Sequence, residues 1–334
     1  LVVGFPGTGK TIMARQLVLN LYNRGFEPEE ILFLSQHRTS CCQIQKMERC
    51  VALTPDCLKD DLKDPDRKVM YRKIKHFIID DAQMICAVSK DKGWFAFLHY
   101  LWKKKRSNKY SLFWVFYGDH KYCRDDGGCM KFIKNRFDHK IKLDLILRNS
   151  HSVAKNAIKY AENPKYKTAV EKITTVHNFK GEAVVCEEKL LSNVEQYLQE
   201  IGDFLNSVLS EGYHYEDVAI LFSRQADIPR ALDCISKEQV EKSEENLLCK
   251  TITSPGMVTL PRIGNVRICS ASDNDITGHV VVDTFRRYSG LDRPVVLAIN
   301  RNIGPYDVYT DSKGLDLIIA TRPIAKLIMW KKKK

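Results

Sequence analysis

The sequence predicts two tandem α/β domains, each built on a parallel sheet. Three observations lead there. At 334 residues the chain is too long for one ordinary core and suits two domains of about 150 residues each. Short apolar runs alternate with stretches of helical period, the order that lays strands side by side with helices on both faces. A glycine-rich turn, GFPGTGKT at 4–11, joins the first apolar run to the first helical stretch.

The elements follow in order. Runs at 1–5, 31–35, 77–80 and 112–117 read as buried strands, because each is almost wholly apolar and bounded by polar or turn residues. Between the first two, Ala14, Leu17, Val18 and Leu21 recur at helical spacing and the pattern closes at Gly25. Residues 94–102 form an apolar, buried helix. The second half opens with a strand at 140–147 and a helix at 150–161. A long amphipathic helix follows, with Val194, Tyr197, Leu198, Ile201, Leu205, Val208 and Leu209 on one face. Ser192 and Glu195 make a capping box ahead of it, and Gly212 ends it. Further strands are expected at 218–222, 280–285, 295–299 and 326–330. The domains are therefore placed at 1–140 and 141–334, with a Glu/Lys-rich surface insertion around 236–256.

Composition narrows the function classes. Hydrophobic residues make up 44% and charged residues 28%, the balance of a folded globular chain. Nothing approaches 18 consecutive apolar residues, so no membrane-spanning helix is expected. The chain opens on Leu1 inside an apolar run with no charged leader, and reads as a fragment whose upstream part is missing. Eleven cysteines, an odd number without a CxxC pair, point to a reducing, intracellular setting, nucleus or cytoplasm. Cys123, Cys129 and His120 lie close together, but their spacing is poor for zinc. The net charge of +12 falls to +8 without the terminal lysines 331–334, and between Lys103 and Arg148 there are 13 basic residues against 5 acidic ones. That excess favours a polyanionic partner, RNA or DNA. Tyr100, Trp102 and Tyr110 sit beside the basic stretch, although helical spacing gives Trp94, Phe97 and Tyr100 a packing role.

The glycine-rich turn has the strand-to-helix context of a phosphate-binding loop. Gly4, Gly7 and Gly9 let backbone N–H groups close on phosphate oxygens, together with Thr8 and the partial positive charge of the helix start. Lys10 reaches the β- and γ-phosphates and Thr11 ligates Mg²⁺. HFIIDDAQ at 76–83 supplies the acidic partner: a strand running straight into Asp80, which holds the metal, and Asp81, which polarises the attacking water. Gln83 adds a contact to the nucleotide. ATP and Mg²⁺ are the implied cofactors.

GFPGTGKT, the IIDDAQ box, LFWVFYGDHKY, ILRNSHSVAKNAI and the pair VVVDTFRRYSGLDRPVVLAI and LDLIIATRPIAKLIM resemble superfamily 1 helicase motors, specifically the helicase-like C-terminal region of the long Schlafen proteins. The match runs from the glycine-rich turn to the last strand. It implies two RecA-like domains, with Gly118 and Asp119 sensing the γ-phosphate. It also implies that Arg148 and Arg322 act from the second domain on the transferring phosphoryl group, and that Asp292, with Gly290 and Leu291, contacts the sugar or couples to the nucleic-acid strand. The resemblance further implies a nuclease-like domain upstream, and a single strand laid across both domains.

Two departures from the family pattern matter. Asp81 stands where such motors carry Glu, withdrawing the carboxylate by ~1.5 Å, and Tyr122 stands in place of a Gln. The intervals between motifs also leave little room for the accessory subdomains of full unwinding motors. Nucleotide binding is thus expected with slow hydrolysis. Two other classes stay open: a nucleotide-gated binding module without turnover, and a P-loop scaffold with no nucleic-acid role.

Overall fold

The computed structural model describes residues 1–47, 49–89, 93–105, 111–118, 129–161, 174–189, 194–229, 232, 256–260, 263–271, 273, 276–285, 287–288, 291–300 and 319–332. These fall into two compact units. Leu1–Arg148 with Ala161 and 174–176 form the first, and Asn149–Tyr160 with the described residues from His177 on form the second.

The first unit is a six-stranded sheet of β1 (Val2–Gly4), β2 (Ile31–Ser35), β3 (Val51–Leu53), β4 (His76–Asp80), β5 (Phe113–Gly118) and β6 (Ile141–Leu143). The order is β3-β2-β4-β5-β1-β6 and every pairing is parallel. Helices α1 (Lys10–Asn23), α2 (Arg38–Gln45), α3 (Pro55–Lys63), α4 (Pro65–Met70), α5 (Ala82–Ser89), α6 (Gly93–Lys105) and α7 (Cys129–Lys134) connect the strands. The central strands β2, β4 and β5 are mostly apolar because both faces are covered. Ile31, Phe33, Ile78 and Phe116 pack with Ala14, Val18 and Leu21 of α1 on one face. Leu32, Leu34, Phe77, Ile79 and Val115 pack with Leu58, Ile85, Phe95 and Leu98 on the other. Each fully buried Leu, Ile or Phe contributes ~1.5–3 kcal/mol.

The strand expected to open the second domain belongs to the first sheet. Asp144 breaks that run, β6 pairs with β1, and Ile141 N–H donates to Leu1 O at 2.9 Å. The next piece, β7 (Leu145–Ile146), pairs with β8 (Thr174–Thr175). The first unit thus runs on to Arg148 instead of stopping at 140.

The second unit begins with α8 (His151–Ala161), followed by β9 (Val185–Lys189), α9 (Val194–Ser210), β10 (Val218–Phe222), β11 (Gly256–Leu260), β12 (Gly264–Cys269), β13 (Val280–Thr284), β14 (Arg293–Asn300) and β15 (Pro323–Lys332). Its sheet runs β11-β12-β13-β10-β14-β15-β9. It is mixed, not parallel: β11 pairs antiparallel with β12, since the three residues between them are too few for a parallel crossover. Gly212 ends α9 as expected. It has φ +94, its N–H donates to Leu209 O, and the Tyr213 N–H donates to Val208 O. Ser192 of the expected capping box lies outside the described residues. So does the insertion expected around 236–256, apart from Gly256 where β11 begins. Among the described residues no helix is long and apolar enough to cross a membrane, and no cysteine is in a disulfide.

His76 opens β4 with its ring 1% exposed, edge-on to Phe26 and with neither ring nitrogen hydrogen-bonded. Burial pushes its pKa from 6.5 down to about 4. The unfolded chain therefore takes up a proton that the folded chain refuses as pH falls from 6.5 toward 4. The stability present above pH 6.5 is lost across that window, by ~3 kcal/mol. Urea unfolding of the parent and His76→Phe at pH 7 and pH 4.5 measures this, and the variant is expected to lose less stability on acidification.

Candidate functional site

Parallel strands bring their C-terminal ends to one edge, where α/β sheets bind ligands. In this sheet the register sets Gly4 opposite Gly118 and Ser35 opposite Asp80. The C-terminal ends of β1, β2, β4 and β5 consequently lie along a common edge.

The turn after β1 needs its glycines. Gly7 and Gly9 have φ of +83 and +86, a region that side chains disfavour. A Cβ on Gly4 would lie 2.6 Å from Thr8 Oγ1 and 2.9 Å from both Leu143 Cβ and Leu143 O. The loop is braced from within and from the chain after β7. The Thr8 hydroxyl donates to Phe5 O at 2.7 Å, and the backbone N–H groups of Leu147 and Arg148 donate to Gly7 O at 2.9 and 3.3 Å. Lys10 is buried, and its Nζ donates to Gly4 O and Phe5 O, both at 2.9 Å. The helix α1 starts here with Gly9 as N-cap and no capping side chain, so its first-turn dipoles add positive potential to the loop.

Asp80, at the end of β4, is fully buried, and neither carboxylate oxygen has an aligned hydrogen-bond partner. Burial, and then the charge of Asp81, push its pKa up to about 7, against the pull of the Thr11 hydroxyl and the Lys10 ammonium. A buried carboxylate without aligned hydrogen bonds is costly unless positive charge compensates it. The chemistry of this donor set suits magnesium, which takes one or two carboxylates together with waters and phosphate oxygens, not a cage of protein ligands.

Asp81 adopts φ +49, the single positive φ among described non-glycine residues. Its side chain is 19% exposed and each oxygen meets a neighbour. Gln83 Nε2 donates to Oδ1 at 3.0 Å, and His37 Nε2 lies 3.2 Å from Oδ2. Burial raises the Asp81 pKa, but His37, Lys10 and Gln83 outweigh it and hold the carboxyl well below the usual carboxylate range. The Gln83 side-chain oxygen in turn accepts the Gly118 N–H at 2.8 Å. Both ends of this amide are thus engaged within the protein, joining the turn after β4 to the end of β5.

The first unit therefore gathers Gly4, Gly7, Thr8, Gly9, Lys10, Thr11, Asp80, Asp81 and Gln83 at one sheet edge. Arg148 belongs to this unit too, bound through its backbone to Gly7, whereas the resemblance implied a residue of the second domain. Arg322 and Asp292 lie in the second unit, Arg322 half-buried ahead of β15 and Asp292 exposed ahead of β14. Asp119, Tyr122 and Gly290 lie outside the described residues, as do His120 and Cys123. Of the aromatic candidates, Trp94 is in the core, Tyr110 is outside the described residues, and Tyr100 is exposed with Lys104 Nζ 4.8 Å from its ring centroid. Trp102 Nε1 donates to Ser111 O at 3.3 Å, tying that partly buried ring to the backbone before β5. His37 was not anticipated from sequence. The signal that could have found it is its position, two residues past the end of a buried strand in a parallel sheet.

No protein-family model matches the chain.

Gly4→Ala forces the backbone at Leu143 or the loop itself to move, at a cost of ~1–3 kcal/mol. Chemical denaturation is expected to show that loss, while alanine at Gly25, where nothing lies within 4 Å of a Cβ, carries only the strain of its φ of +85.

Proposed function

We propose that the chain is an ATP-binding, superfamily 1 helicase-like module of Schlafen type, built from two RecA-like domains. It acts on single-stranded or structured RNA or DNA, with weak or nucleic-acid-stimulated ATP hydrolysis. The observation that supports this most is the pairing at one sheet edge of a glycine-built, lysine-bearing loop with a buried carboxylate whose oxygens make no aligned hydrogen bond. Bound Mg-ATP supplies the phosphoryl group, and its metal neutralises phosphate charge. Backbone N–H groups of the loop hold phosphate oxygens, and Lys10 exchanges the carbonyls of Gly4 and Phe5 for them. Thr11 and Asp80 hold the metal, and Asp81 orients water. Arg148 and Arg322 stabilise charge on the phosphoryl group, a role that rests on the resemblance. The nucleic-acid partner rests on net charge and on the same resemblance. An upstream domain of the same protein rests on the resemblance, and an intracellular location, in nucleus or cytoplasm, on the cysteine usage.

A second reading, nucleotide-gated binding without turnover, is favoured by Asp81. Both of its oxygens are engaged and its acidity is raised, which makes it a weak proton acceptor.

Lys10→Ala is expected to weaken ATP binding by ~100-fold, the scale of losing a buried charge-assisted contact; unchanged affinity counts against the reading. Adding single-stranded RNA or DNA is expected to raise ATP turnover in the parent. Nucleic-acid affinity is expected to fall with salt at a log–log slope of several negative units. A slope near zero removes the nucleic-acid part and leaves a scaffold. Binding of nucleotide with no turnover at any nucleic-acid concentration selects the second reading.

A further inference from the structure

We propose that His37 is a positioning residue for Asp81, holding the shortened carboxylate where it can orient the attacking water. The inference rests on the proposed function and adds to it a residue from a different strand turn.

His37 is 5% exposed, and its backbone N–H donates to Ser35 Oγ at 3.2 Å. Its Nε2 has no aligned acceptor, and it faces Asp81 Oδ2 at 3.2 Å. Burying an imidazole nitrogen without a full hydrogen bond is unfavourable, so the placement asks for a reason beyond packing. Asp81 supplies one. Its left-handed backbone directs a side chain one methylene shorter than Glu, and two groups flank it, the His37 ring from the turn after β2 and the donating amide of Gln83 from the start of α5. Gln83 is itself fixed by the Gly118 N–H at the end of β5. Three adjacent strands, β2, β4 and β5, thus bear on one carboxylate. An ionised carboxylate offers about four acceptor sites, so the Gln83 hydrogen bond and the His37 contact restrain it and leave room for a water. Phosphoryl transfer depends on placement of that water more than on base strength, and a displacement of ~1 Å costs ~100-fold.

The test compares the full chain with His37→Ala and His37→Gln, whose amide N–H reaches about as far as Nε2. Mg-ATP affinity, steady-state turnover with saturating single-stranded nucleic acid, and thermal unfolding are measured on each. For His37→Ala, kcat is expected to fall by ~10–100-fold while nucleotide Kd moves by less than about 3-fold; His37→Gln is expected to restore most of kcat. An alanine variant with kcat within about 2-fold of the parent overturns the proposal. So does a loss of kcat that tracks a loss of nucleotide affinity, or a folded glutamine variant as slow as the alanine one. A parent that binds nucleotide without turnover overturns it while leaving the binding reading intact. A parent that binds no nucleotide overturns the reading and the proposal together.

Discussion

Asp80 is sealed from solvent with neither oxygen met by an aligned donor, and the sheet edge around it is arranged as if for a positive charge. The Thr11 hydroxyl and the Lys10 ammonium lower its pKa, yet burial and the neighbouring Asp81 raise it further. A protein with only its own stability to serve would place an apolar residue here. The carboxylate sits instead at the end of a fully buried strand, in line with the end of β2, and shares its edge with the glycine turn.

The glycine turn answers the same constraint from the opposite direction. Its carbonyls at Gly4, Phe5 and Gly7 are taken up by Lys10, by the Thr8 hydroxyl and N–H and by the backbone after β7, and the loop runs straight into the start of α1. The close approach of Leu143 to Gly4 shows why β6 belongs with this unit: the strand beside β1 forms the wall against which the loop is folded. A buried acid and a lysine-bearing loop at a helix start complement one another electrostatically.

The fold was most legible where both strand faces are buried. β2 and β10 have the boundaries that their apolar runs predict, because Ile31–Ser35 and Val218–Phe222 are buried at every position. Legibility failed where burial did. β3 is three residues long, and β9, at a sheet edge, is largely exposed and carries Glu187, Glu188 and Lys189, so neither has a strand pattern to read. β6 was seen but assigned to the wrong unit, since the partner of an edge strand is set by tertiary register and not by its own residues. Among site residues, the loop and Asp80 follow from spacing alone. The left-handed Asp81, the bridging amide of Gln83 and the approach of His37 depend on which turns meet at the edge, and no periodicity carries that.

The most direct measurement is ATP affinity of the full chain with Mg²⁺ and with the metal chelated, on the parent and on Asp80→Asn. If Asp80 is held for a metal beside phosphates, Mg²⁺ tightens ATP binding to the parent by about 10-fold or more, and the asparagine variant loses most of that gain. An affinity for ATP that is the same with and without Mg²⁺ in the parent would contradict the account.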